Sequence, residues 1–210
     1  MKKIVCLILT LSLIFTLASC ANHDDSAVIE EAKRLIEKSI VLNEIYWGEG
    51  IAYLEDYSYS EGYYFPASAI SLKKYGIETL NDLKNLTLET FSADYAESIF
   101  KGAFLEYNTE MSGYVFPRYY QKYDDAEGKE PKFIMVYSNF EPFLNDTVEY
   151  LYDTVKIERY KGKAVFLSIE ANVTRGEKTQ KRTVSFKLIK EKDEYKIDTP
   201  TYITYNDVQE

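Results

Sequence analysis

Cysteine and histidine are almost missing from this 210-residue chain, which has two of the first and one of the second. Cys6 lies in an apolar leader and Cys20 directly behind it, so the chain from Ala21 onward holds no thiol. That body can form no disulfide of its own, no thiolate metal site and no cysteine nucleophile. The only histidine, His23, stands three residues past Cys20. A zinc centre built from His and Cys is thereby excluded, and a Ser-His-Asp or Cys-His mechanism would need His23 to fold back from the start of the chain. The residues imply no cofactor. Long apolar runs are lacking too. The uncharged stretch Ile4 to Leu17 spans 14 residues, short of the roughly 18–20 that a membrane-crossing helix needs.

What stands in that leader is more specific. Lys2 and Lys3 precede the apolar stretch, and small residues then lead to Cys20, the layout of a cleaved signal sequence. The tetrapeptide Leu17-Ala18-Ser19-Cys20 resembles the lipobox of bacterial lipoproteins. That resemblance implies that residues 1–19 are a signal peptide and that the Cys20 thiol carries a diacylglyceryl group. Residues 20–26 are then a lipidated tether, and 27–210 a single domain held outside the cytoplasm at the bacterial cell membrane. The mature chain of 191 residues is long enough to bury a real core without disulfides.

Positive charge is scarce relative to negative, with 25 basic and 34 acidic residues. Loss of Lys2 and Lys3 moves the formal net charge from −9 to −11. Such a domain is repelled by nucleic acid and by anionic headgroups, while a cationic protein is attracted. The same charge also serves simple solubility.

Val28, Ile29, Ala32, Leu35, Ile36 and Ile40 recur at helical spacing, with Asp25 or Ser26 as the cap and Gly48 as the stop. Gly48 to Tyr75 reads as irregular and strongly aromatic. Thr79-Leu80-Asn81-Asp82 is a capping box opening a helix toward Phe91, and Ser92 caps another. After Gly113 the apolar period becomes two. Tyr114–Tyr123 and Lys132–Ser138 pair as a hairpin, and Val165, Leu167, Ile169, Ala171 and Val173 mark one face of a half-buried strand. Val184, Phe186 and Leu188 form the next apolar face, and Tyr195 and Ile197 begin the last strand. Lys161-Gly162, Arg175-Gly176 and Lys192-Asp193 supply the turns. The expected fold class is α+β, with N-terminal helices packed on a curved antiparallel sheet.

The closing segment Phe186-Lys187-Leu188-Ile189-Lys190 and Glu194-Tyr195-Lys196-Ile197-Asp198 is similar to the last hairpin of cone-shaped nuclear-transport-factor-2-like and cystatin-like domains. A narrower likeness runs through Thr79-Leu80, Asp82-Leu83-Lys84, Thr90-Phe91-Ser92, Tyr95-Ala96 and Gly113-Tyr114-Val115-Phe116-Pro117-Arg118, which resembles the IseA-type D,L-endopeptidase inhibitors. Those are secreted bacterial proteins that restrain peptidoglycan-cleaving enzymes. The resemblance implies a cell-wall hydrolase or another envelope protein as partner, and carries over no inhibitory residue.

Catalytic patterns are weak. Ser71-Leu72-Lys73-Lys74 and Ser98-Ile99-Phe100-Lys101 both fit Ser-x-x-Lys without the elements that accompany it in penicillin-recognising enzymes. Glu55/Asp56 and Asp124/Asp125 read as solvated turns. Two aromatic groups are the binding candidates: Tyr63, Tyr64 and Phe65, then Tyr114, Phe116, Tyr119 and Tyr120. Tyrosine joins a flat apolar face to a polar tip, suiting sugar rings or a protein interface, and it is equally a good strand residue. The expected function is a non-catalytic binding module, possessing no catalytic or metal-binding residues, that restrains a cell-wall hydrolase. The alternatives are a small-molecule or glycan pocket, or an enzyme using an aspartate and a tyrosine in the same fold. Arg175, Lys178, Lys181 and Arg182 mark a basic hairpin tip that a soluble turn explains.

Overall fold

Residues 24–56, 58–104, 116–124 and 130–203 are described by a computed structural model. The leader, Cys20, His23, Tyr114 and Asp125 lie outside the described residues. Helix α1 (Asp25–Trp47) buries the stripe Val28, Ala32, Leu35, Ile36, Leu42, Ile45 and Tyr46. Its cap is Asp24, one residue before the expected pair, whose carboxylate accepts from the Ala27 N–H at 3.1 Å. The helix therefore takes in the end of the segment expected to be tether. At the other end Gly48 N donates back to the Asn43 and Glu44 carbonyls.

The aromatic stretch after Gly48 holds two short elements that periodicity did not reveal, β1 (Tyr64–Pro66) and α2 (Ala69–Tyr75). A three-residue strand is too short to show alternation, and α2 has no buried residue to mark a face. Helix α3 (Leu80–Thr90) opens on the expected capping box, complete in both directions between Thr79 and Asp82. Helix α4 (Ala93–Ala103) is capped by Ser92, which accepts from Tyr95 N at 3.2 Å.

The fold is α+β, with antiparallel strands in two sheets. Strands β2 (Tyr119–Tyr123) and β3 (Pro131–Tyr137) form the expected hairpin, but β1 joins the free edge of β3 to give a small sheet in the order β1-β3-β2. The larger sheet is the meander β4 (Thr147–Lys161), β5 (Ala164–Arg175), β6 (Lys178–Glu191) and β7 (Glu194–Ile197). Strand β5 alternates as expected, with Val165, Leu167, Ile169, Ala171 and Val173 all buried. Irregular register in β4, between Leu151 and Lys156 and again between Ile157 and Arg159, bends that strand. The Lys192-Asp193 turn has both residues at positive φ, 47° and 72°, the twist that suits a two-residue hairpin.

One hydrophobic core joins the helices to both sheets, running from Leu35, Leu42 and Leu83 through Phe104, Tyr119 and Ile134 to Leu167, Phe186 and Leu188. Parallel bridges tie helix ends to the sheets, Phe91 to Ile197 and Phe104 to Tyr119. Among the described residues no helix is long and apolar enough to cross a membrane.

Candidate functional site: an aromatic face on the small sheet

Strand alternation sorts the two aromatic groups. Tyr64 lies opposite Tyr137, and Tyr120 opposite Met135, so Tyr64, Tyr120, Met135 and Tyr137 share one side of the small sheet. Phe65 and Tyr119 both lie opposite Val136, on the other side.

On the first side the rings gather around Tyr137. Its centroid lies 5.2 Å from Tyr64, 5.1 Å from a nearly parallel Phe116, and 6.4 Å from a perpendicular Tyr63. Tyr120 extends the row at 5.0 Å from Tyr64. The Tyr64 hydroxyl donates to the Pro117 carbonyl at 2.6 Å, which fixes the approach to β2 under the cluster. Met135 on the same side is fully covered. The outer members stay open: Tyr63 is 60% exposed and Phe116 43%. A second edge-to-face pair, Tyr59 on Phe133 at 5.4 Å, flanks the row.

Charge borders the rings at one point. Glu61 pairs with Lys122 at 2.7 Å and accepts from the Tyr120 hydroxyl. The lysine, and then the hydroxyl, hold the Glu61 carboxyl below the ordinary glutamate range. Burial pushes the Tyr64 phenol up to about 12, with Tyr137 adding to it, so this phenol is neutral and donates its hydrogen bond at physiological pH.

Of the residues expected to bind, Tyr63, Tyr64, Phe116 and Tyr120 come together on this face. Phe65 and Tyr119 do not. Phe65 is buried and stacks on Tyr53 at 5.5 Å. Tyr119 is wholly buried, and its hydroxyl donates to Ile45 O at 2.7 Å and accepts from Ile51 N at 3.2 Å. Both serve packing, because a one-residue step along a strand reverses the side. Sequence reasoning missed Tyr137, the centre of the cluster, along with Glu61 and Lys122. Tyr137 closes a strand that looks ordinary by itself, and only its pairing with β1 brings Tyr64 against it.

The other sequence patterns resolve into structural roles. Ser71 accepts from Ala52 N at 3.0 Å, while Lys74 reaches the Tyr75 hydroxyl. Ser98 donates to Asp94 O, and Lys101 pairs with Glu97. Neither Ser-x-x-Lys pair joins its serine to its lysine. Asp56 accepts from Ser58 N in a turn, and Asp124 pairs with Lys132. At the basic hairpin tip, Arg175 holds Asp146 through two bonds and Lys181 pairs with Glu170. Among the described residues no three His, Cys, Asp or Glu side chains converge in a metal-binding group.

No family model matches this chain, and no curated protein or solved structure shows significant similarity to it.

Proposed function

We propose that this protein is an extracytoplasmic lipoprotein, anchored to the bacterial cell membrane through lipid on Cys20, that works by binding rather than catalysis and restrains a cell-wall hydrolase. The observation that carries this reading is the gathering of Tyr63, Tyr64, Phe116, Tyr120 and Tyr137 on one face of the small sheet with their outer rings open. Aromatic rings supply large contact area at low rotamer cost and supply many of the strongest contacts at interfaces. The acidic charge favours a cationic partner. The resemblance of Thr79–Arg118 to IseA-type inhibitors points to peptidoglycan-cleaving enzymes. A cone-shaped, cystatin-like form belongs to the same proposal.

The test is capture from cell-wall extract with the full-length chain. Recovery of a peptidoglycan hydrolase by wild type, with at least about tenfold loss in the double variant Tyr63→Ala/Phe116→Ala, is the expected result. Absence of any hydrolase, together with unchanged muropeptide release when the protein is added, overturns it. The near-parallel Phe116/Tyr137 pair also suits stacking on a sugar ring. Retention on purified glycan strands without a protein partner would favour that second reading. Membrane fractionation of Cys20→Ser tests the anchor: the variant leaves the membrane if lipid on Cys20 holds it there.

A further inference from the structure

Arginine is seldom fully buried without an anion beside it. Arg118 is 4% exposed, and no described carboxylate lies within ion-pair distance of it. Its Nη2 donates to the Glu49 carbonyl at 2.6 Å. Nε and Nη1 are covered and have no acceptor among the described residues. The guanidinium carbon sits 3.8 Å from the Phe140 ring centroid, so one face is occupied by an aromatic ring that supplies no hydrogen bond. The arginine is also locked in place. A Cβ at Gly50 (φ +78°) would come within 2.2 Å of Nη2, so the chain keeps a glycine where the side chain passes.

Arg118 lines two cavities, and they differ in kind. The one bordered by Glu49 and Glu55 repels an anion. The other, about 290 Å³, has apolar walls of Tyr46, Trp47, Ile99, Ala103 and Phe143, with Glu141 as the only carboxylate among its described lining residues. That volume, near the lower end for small-molecule sites, suits a ligand of amino-acid size. A planar fork of N–H donors matches a carboxylate. A dianion such as phosphate would face Glu141 with one arginine among the described lining residues to offset it, so a monoanion fits better. Burial acts in the same sense, since desolvation lowers the Arg118 pKa and an entering anion would offset that penalty on a guanidinium that stays protonated.

We propose that this cavity binds the carboxylate of a small apolar acid on Arg118, with the acid's aliphatic or aromatic body against Trp47 and Phe143. None of the rings of the aromatic face is among the described lining residues of this cavity, and the site does not depend on a hydrolase partner. The acid is either a free N-acylated amino acid or the C-terminal residue of a peptide, which present the same chemistry.

Trp47 is the chain's only tryptophan and it lines the cavity, so intrinsic fluorescence reports occupancy directly. The full-length chain in detergent is titrated with N-acetyl-leucine, N-acetyl-leucinamide and N-acetyl-glycyl-glycyl-leucine. Saturable change with the acid and at least about tenfold weaker response to the amide is the expected result. Saturation by the tripeptide as well identifies a peptide C-terminus; saturation by the free acid alone identifies a small molecule. Arg118→Met is expected to abolish the difference between acid and amide. Gly102 also lines the cavity, and a Cβ there meets no atom within 4 Å, so Gly102→Leu starts from open space and is expected to fill the cavity and block binding. That variant keeps the test decisive if Arg118→Met does not fold.

Equal response to acid and amide, or no saturation by about 10 mM, overturns the proposal. So does inorganic phosphate that displaces the acid at equal concentration. None of these outcomes bears on hydrolase capture, so the two proposals fail separately.

Discussion

Replacing Tyr119 by phenylalanine removes one oxygen that joins the end of helix α1 to the chain leaving it. Ile45 is in the last helical turn, where carbonyls lack a helical donor, and the Tyr119 hydroxyl fills that vacancy at 2.7 Å. The same oxygen accepts from Ile51 N at 3.2 Å. Both backbone groups belong to buried residues, so the variant strands a donor and an acceptor where water does not replace the hydroxyl. An orphaned buried group costs about 1–3 kcal/mol, with the longer bond at the low end, so the loss is about 2–4 kcal/mol. In a domain of this size that lowers Tm by about 4–16 °C. Urea melts followed by circular dichroism give the free energy directly, with an unchanged slope expected because the surface exposed on unfolding is the same. Tyr120→Phe is the matched control, since its hydroxyl reaches only the exposed Glu61 and its loss is expected to cost under about 1 kcal/mol. The reasoning is refuted if Tyr119→Phe costs under about 0.5 kcal/mol, or if the two neighbours cost the same.

Two further outcomes follow from the same region. Gly50→Ala meets both a positive φ and a Cβ crowded to 2.6 Å from the Tyr119 hydroxyl, so it is expected to lose about 3 kcal/mol or more; a native-like melt would contradict the close packing. Glu61 has its carboxyl pKa lowered in the folded state, so its contribution is fully present above the ordinary glutamate value and fades as pH falls through the lowered one. The stability gap between wild type and Glu61→Gln, read from urea midpoints at neutral and acidic pH, is therefore expected to shrink on acidification, and a constant gap would contradict the pairing with Lys122.

The legible parts of the fold were those written in local pattern. The Thr79/Asp82 box needs only four consecutive residues, and the alternation in β5 needs only that strand, because its inner face meets one continuous core. Division into two sheets was not legible. It depends on β1 finding β3 across the intervening helices, and three residues carry too little periodic signal to announce that pairing. The candidate site split for the same reason. Tyr119 and Tyr120 are neighbours of one residue type, and only their register against Val136 and Met135 decides which is buried and which joins the aromatic face. Arg118 stood in a quoted motif without suggesting burial, since arginine ordinarily keeps its charge in water.

Helix α1 also fixes a distance. It has 23 residues, a rise of about 35 Å, and Asp24 caps it only four residues after Cys20, a span of at most about 14 Å. Its far end is bonded to the small sheet through Tyr119. If lipid on Cys20 holds the chain in the bilayer, these two lengths put the far end of α1 at most about 50 Å from the anchor. Under that proposal the ceiling would confine the aromatic face to a shallow layer above the membrane, so a partner would be selected by where it works in the envelope as much as by what it displays.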